Sequence, residues 1–193
     1  TPLNENIIIA AIMGIGLSAA CGFRVFIPML IIGIAAKTEH IKLSNDFLWI
    51  ASQPAIIAFA TASILEISAY YIPWLDNTMD SISSPAAVIA GAILTSSVIL
   101  DISPFLRWTL AIIAGGGAAG AVQTSTVLVR AASSAATAGL GNFFVSTIEL
   151  ICSIILSVLA IFLPILALII LILILFKISM MVLKKKEAIA GNK

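Results

Sequence analysis

The chain has 193 residues, 61% of them hydrophobic and 10% charged, with a net charge of +1 and a mean hydropathy of +1.19. Soluble domains are about 45–50% apolar and about 25% charged, and a small domain leaves too much surface in water to hide a composition this apolar. A soluble fold is excluded, and the near-zero net charge implies neither a nucleic-acid partner nor an acidic substrate.

Six stretches approach the roughly 20 residues needed to cross the hydrocarbon core: 6–36, 51–72, 86–102, 105–132, 143–163 and 164–183. Backbone polar groups in lipid must be satisfied internally, and the short alternating segments of a β-barrel are absent. The expected fold is therefore all-α, a polytopic transmembrane helical bundle of about six membrane segments in one domain, 1–193. Its expected partners are the lipid bilayer and either further copies of itself or a larger membrane complex.

The first segment opens on Ile7 to Ala20, which has the length of a signal-peptide core. Glu5 precedes it, no Lys or Arg does, and the apolar run continues to Ala36, so it is expected to stay as a membrane helix. Gly14 to Gly22 is dense in small residues, which let helix backbones approach closely in a bilayer; this helix should lie at the bundle centre. Gly22 and Pro28 flank Arg24, and Pro28 should break the helix and free the carbonyl of Arg24. His40 stands alone in a polar stretch and reads as solvated. Cys21 and Cys152 lie in apolar runs and read as packing residues.

The second segment carries Glu66 within its apolar run. Between it and the third lies the polar stretch Pro73 to Pro85, expected as a loop. Its Asp76 and Asp80 are four apart and would repel on one helical face unless a cation or a basic group relieved them; they are the weak cation-binding candidates. Asp101, before Ser103-Pro104, reads as a cap or turn former. The fourth segment has a second small-residue stretch, Ala114 to Ala121, then the polar patch Gln123 to Thr126, then Arg130. Gly115-Gly116-Gly117 lacks the Lys-Ser/Thr of a phosphate loop. The fifth carries Glu149. The sixth is nearly all Leu and Ile from Ile165 to Phe176, expected to face lipid and to end with Lys184-Lys185-Lys186 at a membrane surface.

A charge at a helix centre costs about 2.5–3.5 kcal/mol on the translocon scale, so a retained one faces the bundle or a wet cavity. Arg24, Glu66, Gln123, Thr124, Arg130 and Glu149 are thus the candidate substrate or ion pathway, with Arg24 and Glu66 expected in contact or lining one cavity with Gln123 and Thr124. The competing reading is an ion pair that fixes helix register. No metal ligand set, cofactor motif or nucleophile–base pair is visible, so neither a metal, a cofactor nor an enzymatic activity is expected.

A two-helix repeat is a further candidate. The Gly14 helix and the Glu66 helix resemble the Gly115 helix and the Glu149 helix, and one intervening crossing would invert the second pair, a geometry common among secondary transporters. The leading reading is a transporter or channel-like protein for a small solute or ion. The alternative is an accessory subunit of a membrane complex, or a lipid- or pigment-binding protein.

Gly14 to Pro28, Ile72 to Asn77, Asp101 to Pro104, Gly115 to Gly117, Val129-Arg130 and Ala138 to Asn142 together resemble the bacterial membrane-protein family catalogued as domain of unknown function 4126, over about residues 8–165. The resemblance implies a small, multi-pass protein of a bacterial inner membrane and supplies no activity. It also leads one to expect a histidine near Gln123; the absence of one argues against a proton relay at that point.

Overall fold

A computed structural model describes residues 2–72 and 75–190; the side chains of 2–5, 76, 77, 178 and 181–190 lie outside the described part, as do Pro73 and Trp74 entirely. Every regular element among the described residues is a helix, as expected: α1 (Pro2–Cys21), α2 (Phe26–Lys37), a 3₁₀ stretch (Asn45–Ala51), α3 (Gln53–Tyr70), α4 (Asp76–Val98), α5 (Pro104–Leu110), a π-helical stretch (Ala111–Gly116), α6 (Gly117–Thr137), α7 (Asn142–Phe162) and α8 (Pro164–Ala190). Three are long and apolar enough to cross a membrane, at Thr78–Val98, Pro104–Thr137 and Asn142–Phe162. The bent pair of the 3₁₀ stretch and α3, at 60°, makes a fourth. The count is lower than the expected six, because the first segment is two shorter helices and the described apolar part of α8, Pro164–Lys177, is also short.

The first segment departs most from expectation. It breaks at residues 22–25, ahead of Pro28. Pro28 lies in the first turn of α2, where the missing N–H would have had no intrahelical partner, so it starts a helix and frees no carbonyl. The break comes from its surroundings. A Cβ on Gly22 would lie 2.5 Å from the Ala119 carbonyl oxygen and 2.6 Å from Val122 Cβ, so only glycine lets the chain meet α6 here. Glu66 then accepts the backbone N–H groups of Val25 and Phe26, at 2.8 and 3.1 Å, and holds the start of α2.

Both outer ends of α1 and α2 lie at one end of the bundle. Asn6, Ile7 and Ala10 of α1 line a cavity with Val98, Leu100 and Asp101, beyond the C-terminus of α4. At the end of α2, Lys37 bonds Gln53 at the start of α3, and His40 meets Phe162 at the end of α7. Arg107 reaches Ser44 and Asp46 at this same end, while the Ser44 N–H donates to the Ser97 carbonyl at 2.8 Å. The pair is thus a hairpin entering from the Arg107 end, with Arg24 at its apex, and not one crossing of residues 6–36. At the opposite end Tyr71 packs on Phe143 and bonds Thr147.

The centre is built from small residues, as expected. The Ser18 hydroxyl donates to the Gly91 carbonyl and pairs with the Thr95 hydroxyl at 2.7 Å, fastening α1 to α4. Gly14, Gly16, Gly115 and Gly116 are buried, whereas Gly117 is exposed with open space beside it. In α8, Ile165, Ile169, Ile172, Leu173 and Phe176 are exposed, the lipid-facing surface anticipated, while Ala167 and Leu171 pack inward. The side chains of Lys184 to Lys186 lie outside the described residues.

Residues 76–85, expected as loop, are the first turns of α4, which runs through Pro85. An interior proline costs roughly 3 kcal/mol; beyond it the helix buries Ala87, Ala90 and Leu94 in the core. The fourth segment is likewise longer than expected, 34 residues from Pro104 to Thr137. α1 and α6 run the same way through the bundle, since Ser18 and Gly115 both meet Thr95 and Gly22 meets Gln123. The expected pairing of the Gly14 and Gly115 helices is therefore parallel, which rules out that pairing as an inverted unit.

Candidate functional site

Five buried charged side chains converge where the hairpin apex meets α3, α4, α6 and α7. Arg24 and Arg130 are each 1% exposed, Glu66 and Glu149 3%, and Asp80 8%. Helical spacing delivers them. Glu66 and Tyr70 stand one turn apart on the inner face of α3. Gln123, Thr126 and Arg130 share the inner face of α6. On α7 the buried face carries Asn142, Ser146, Glu149, Ser153 and Ser157, with Leu156, Ala160 and Ile161 buried toward its C-terminal end.

The network centres on one carboxylate oxygen and one aromatic ring. Glu149 Oε2 lies 3.3 Å from Arg24 Nη2 and accepts a short hydrogen bond from Arg130 Nη2. Arg130 Nη1 donates to Asp80 Oδ1 at 2.8 Å, and Tyr70 donates to the same oxygen at 3.3 Å. The two guanidiniums also sit over the Tyr70 ring, with Cζ 4.0 Å from its centroid for Arg24 and 4.2 Å for Arg130. Both stacks are desolvated, the setting in which cation–π contacts are worth about 2 kcal/mol or more. Arg24 Nη2 donates further to the Ser146 carbonyl at 2.9 Å. Arg24 is thereby held to α7 and α3 at once.

Several sequence candidates therefore meet, in a different pairing from the one expected. Arg24 is paired with Glu149, while Glu66 caps α2 through both oxygens. Asp80 has the basic partner that would relieve it, Arg130; the side chain of Asp76 lies outside the described residues. Gln123 is buried behind Gly22, with its Nε2 unpartnered. Thr124 is exposed and its hydroxyl bonds its own helix at the Gly120 carbonyl, so it lines no cavity with Arg24, because one residue's rotation about α6 turns it outward. Asp101 sits in the α4–α5 turn with φ 59°, a turn residue as anticipated.

Tyr70 and Ser146 escaped the sequence reading. The available signal was the four- and three-residue spacing from Glu66 to Tyr70 and from Ser146 to Glu149, which puts each pair on one helix face. Among the described residues no group of three or more His, Cys, Asp or Glu could hold a metal ion.

Two cavities, both walled mainly by apolar side chains, have acidic residues in their linings. One, of about 560 Å³, is lined by Phe26, Leu65, Ala69, Ile72 and Met79 with Glu66 among them. The other, of about 210 Å³, lies between α6, α7 and α8, with Glu149 and Cys152 in its wall.

The sequence matches the model of the family described as a domain of unknown function (DUF4126), over residues 11–184. The chain belongs to that family. No curated protein and no solved structure matches this DUF4126 protein, so its activity has to be reasoned from its own network. It is a membrane protein whose helices contact the lipid bilayer.

Proposed function

We propose that this DUF4126 protein is a non-enzymatic transporter or channel-like protein for a small solute or ion, in a bacterial inner membrane. The observation that carries the reading is Arg24 at the apex of a helix hairpin, locked by Glu149 and Tyr70 inside an apolar bundle. Ionisable groups at membrane depth mark pathways and relays more often than they merely stabilise. A break that brings irregular backbone to that depth is tolerated only against protein or a cavity.

An inverted relation between α1–α3 and α4–α7 would suit alternating access. Gly14 meets Thr95 and Ser18 meets Gly91, contacts that exchange if position 14 corresponds to 91 and 18 to 95. Assembly into homo-oligomers, or with other membrane subunits, would cover part of the exposed apolar face of α7 and α8.

Flux of small ions and solutes into proteoliposomes tests the function. Uptake by the wild type that falls at least tenfold in Arg24→Gln, with both variants folded, is the expected result. Absence of flux across a panel of ions and small solutes, together with co-purification of the chain with a stable membrane complex, would favour the accessory-subunit reading and overturn this one.

A further inference from the structure

We propose that the pocket between the end of α2 and the 3₁₀ stretch is a lipid-headgroup site. It takes a zwitterionic aminophospholipid, with the phosphate on Lys42, the ammonium on Glu39 and an acyl chain against Ile41, Leu43 and Leu48. The proposal concerns the Arg107 end of the bundle and stands apart from the transport reading.

The tryptophans set the depth of this pocket. Trp49 and Trp108 are partly exposed at this end, Trp108 against Phe47 of the 3₁₀ stretch. Tryptophan collects at the membrane–water boundary, where its ring sits at headgroup level. Leu48, next to Trp49, is exposed and forms part of the pocket wall. The pocket therefore lies at headgroup depth. Its volume of about 410 Å³ falls within the about 300–1,000 Å³ usual for a small-molecule site.

Its two charged members, Glu39 and Lys42, are left over from the pairing at this end. Arg107 pairs with Asp46, Lys37 donates to the Gln53 side chain, and His40 bonds the Thr38 hydroxyl. Asp101 lines a separate cavity beside Asn6. The side chains of Glu39 and Lys42 have no hydrogen-bond or ion-pair partner among the described residues, and they do not pair with each other.

Glu39 also stands where ending the helix favours another residue. Its N–H reaches the Ala36 carbonyl and that of His40 the Ala35 carbonyl, with Glu39 left-handed at φ 61°. Glycine is the usual residue at this position of a helix-ending turn. A carboxylate kept there serves something besides the turn, and the pocket it lines supplies the reason.

One acid and one base together select the charge of the occupant. Lys37, Lys42 and Arg107 at this end are matched by Glu39, Asp46 and Asp101, so there is no basic cluster of the kind that recruits anionic lipid. A phosphate alone satisfies Lys42 and is repelled by Glu39. A phosphate with a primary ammonium beside it answers both, each through a charge-assisted hydrogen bond. The apolar wall distinguishes a lipid from soluble phosphoethanolamine, which has no chain to place there.

Native mass spectrometry of the detergent-solubilised protein, titrated with phosphatidylethanolamine or phosphatidylglycerol of identical acyl chains, tests this. Wild type is expected to bind phosphatidylethanolamine about tenfold more tightly, the effect of one charged hydrogen bond. Lys42→Gln should lose most of that affinity. Glu39→Gln should reverse the preference, because Lys42 then meets an anionic headgroup unopposed. Leu48→Ser should weaken both lipids, and soluble phosphoethanolamine at the lipid's concentration should displace neither. Lys37→Gln, outside the pocket, should bind as wild type. Equal binding of the two lipids by wild type, or a preference for phosphatidylglycerol, overturns the proposal whether or not the variants fold. Wild-type selectivity in Lys42→Gln or Glu39→Gln, or displacement by phosphoethanolamine, overturns it as well. A loss in Lys37→Gln equal to that in Lys42→Gln would mean that only surface charge is read, and does the same.

Discussion

Each end of the bundle holds an arginine against acids, and the two settings could hardly differ more. At the Arg107 end, Arg107 is 8% exposed as a residue, but its acidic partner Asp46 keeps 69% of its side chain in solvent, and Ser44 shares the guanidinium. At the other end Arg130 has two carboxyl partners, both largely buried, and a tyrosine ring over its Cζ. The identity of the ion pair is the same; the access of water to its acid is not. Where the acid is wet, losing the pair leaves it hydrated. Where it is buried, losing the arginine strands two carboxylates in a low-dielectric interior.

The largest effect should come from breaking that contrast directly. Arg130→Gln is expected to cost about 3–5 kcal/mol, the usual loss when one partner of a buried pair is removed. Arg107→Gln should cost about 1 kcal/mol or less, as for a solvent-screened pair. Thermal unfolding in detergent reads both, and equal losses would show that burial of the acid is not what separates the two ends.

A second contrast sharpens the same point with neutral atoms. At Gly22 a methyl group would meet backbone, the Ala119 carbonyl oxygen at 2.5 Å, while at Gly117 it would meet open space. Gly22→Ala should lower stability by about 1–3 kcal/mol through overpacking and displace Arg24, two residues on. Gly117→Ala, in a helix interior, should raise stability by about 0.5–1 kcal/mol, the helix preference of alanine over glycine. Detergent melting curves of the two variants check this, and a neutral Gly22→Ala would mean that the hairpin apex is not wedged against α6.

The legible and illegible parts of the sequence divide along the same line. Helical class, the buried glycine helices and the lipid-facing Leu/Ile helix were readable because composition and small-residue density act locally. So was the inward orientation of Arg24 and Glu66, since a charge in an apolar run has nowhere else to go. The pairing was not readable. Glu66 is nearer Arg24 in sequence, but the free N–H groups of a helix start are also strong partners for a carboxylate, and only the fold shows that α2 begins at Phe26. Nor does hydropathy distinguish one long crossing from a hairpin when both halves are equally apolar. Residues 6–36 return to the end they came from because of contacts at Gly22 and Glu66 that lie far apart in the chain.

The smallest expected effect again compares the two ends, this time in their turns. Each contains a non-glycine residue in the left-handed region, Asp101 at φ 59° between α4 and α5 and Ala138 at φ 52° after α6. Asp tolerates that conformation better than most residues because its short polar side chain bonds locally. Ala138 has no such compensation. It follows the last residue of α6, Thr137, where a helix that ends in a left-handed residue most often uses glycine. Its side chain is exposed, so nothing is lost by removing the methyl group. Left-handed backbone costs an L-residue about 1–2 kcal/mol, and the greater freedom of glycine in the unfolded chain returns part of that. Ala138→Gly should therefore stabilise the protein by about 0.5–1 kcal/mol, while Asp101→Gly should gain less. A melting comparison in one detergent decides it. If Ala138→Gly is destabilising, the turn before α7 is held by something other than its backbone conformation, and the Thr137 hydroxyl, which accepts the Gly141 N–H at 2.8 Å, is the group to examine next.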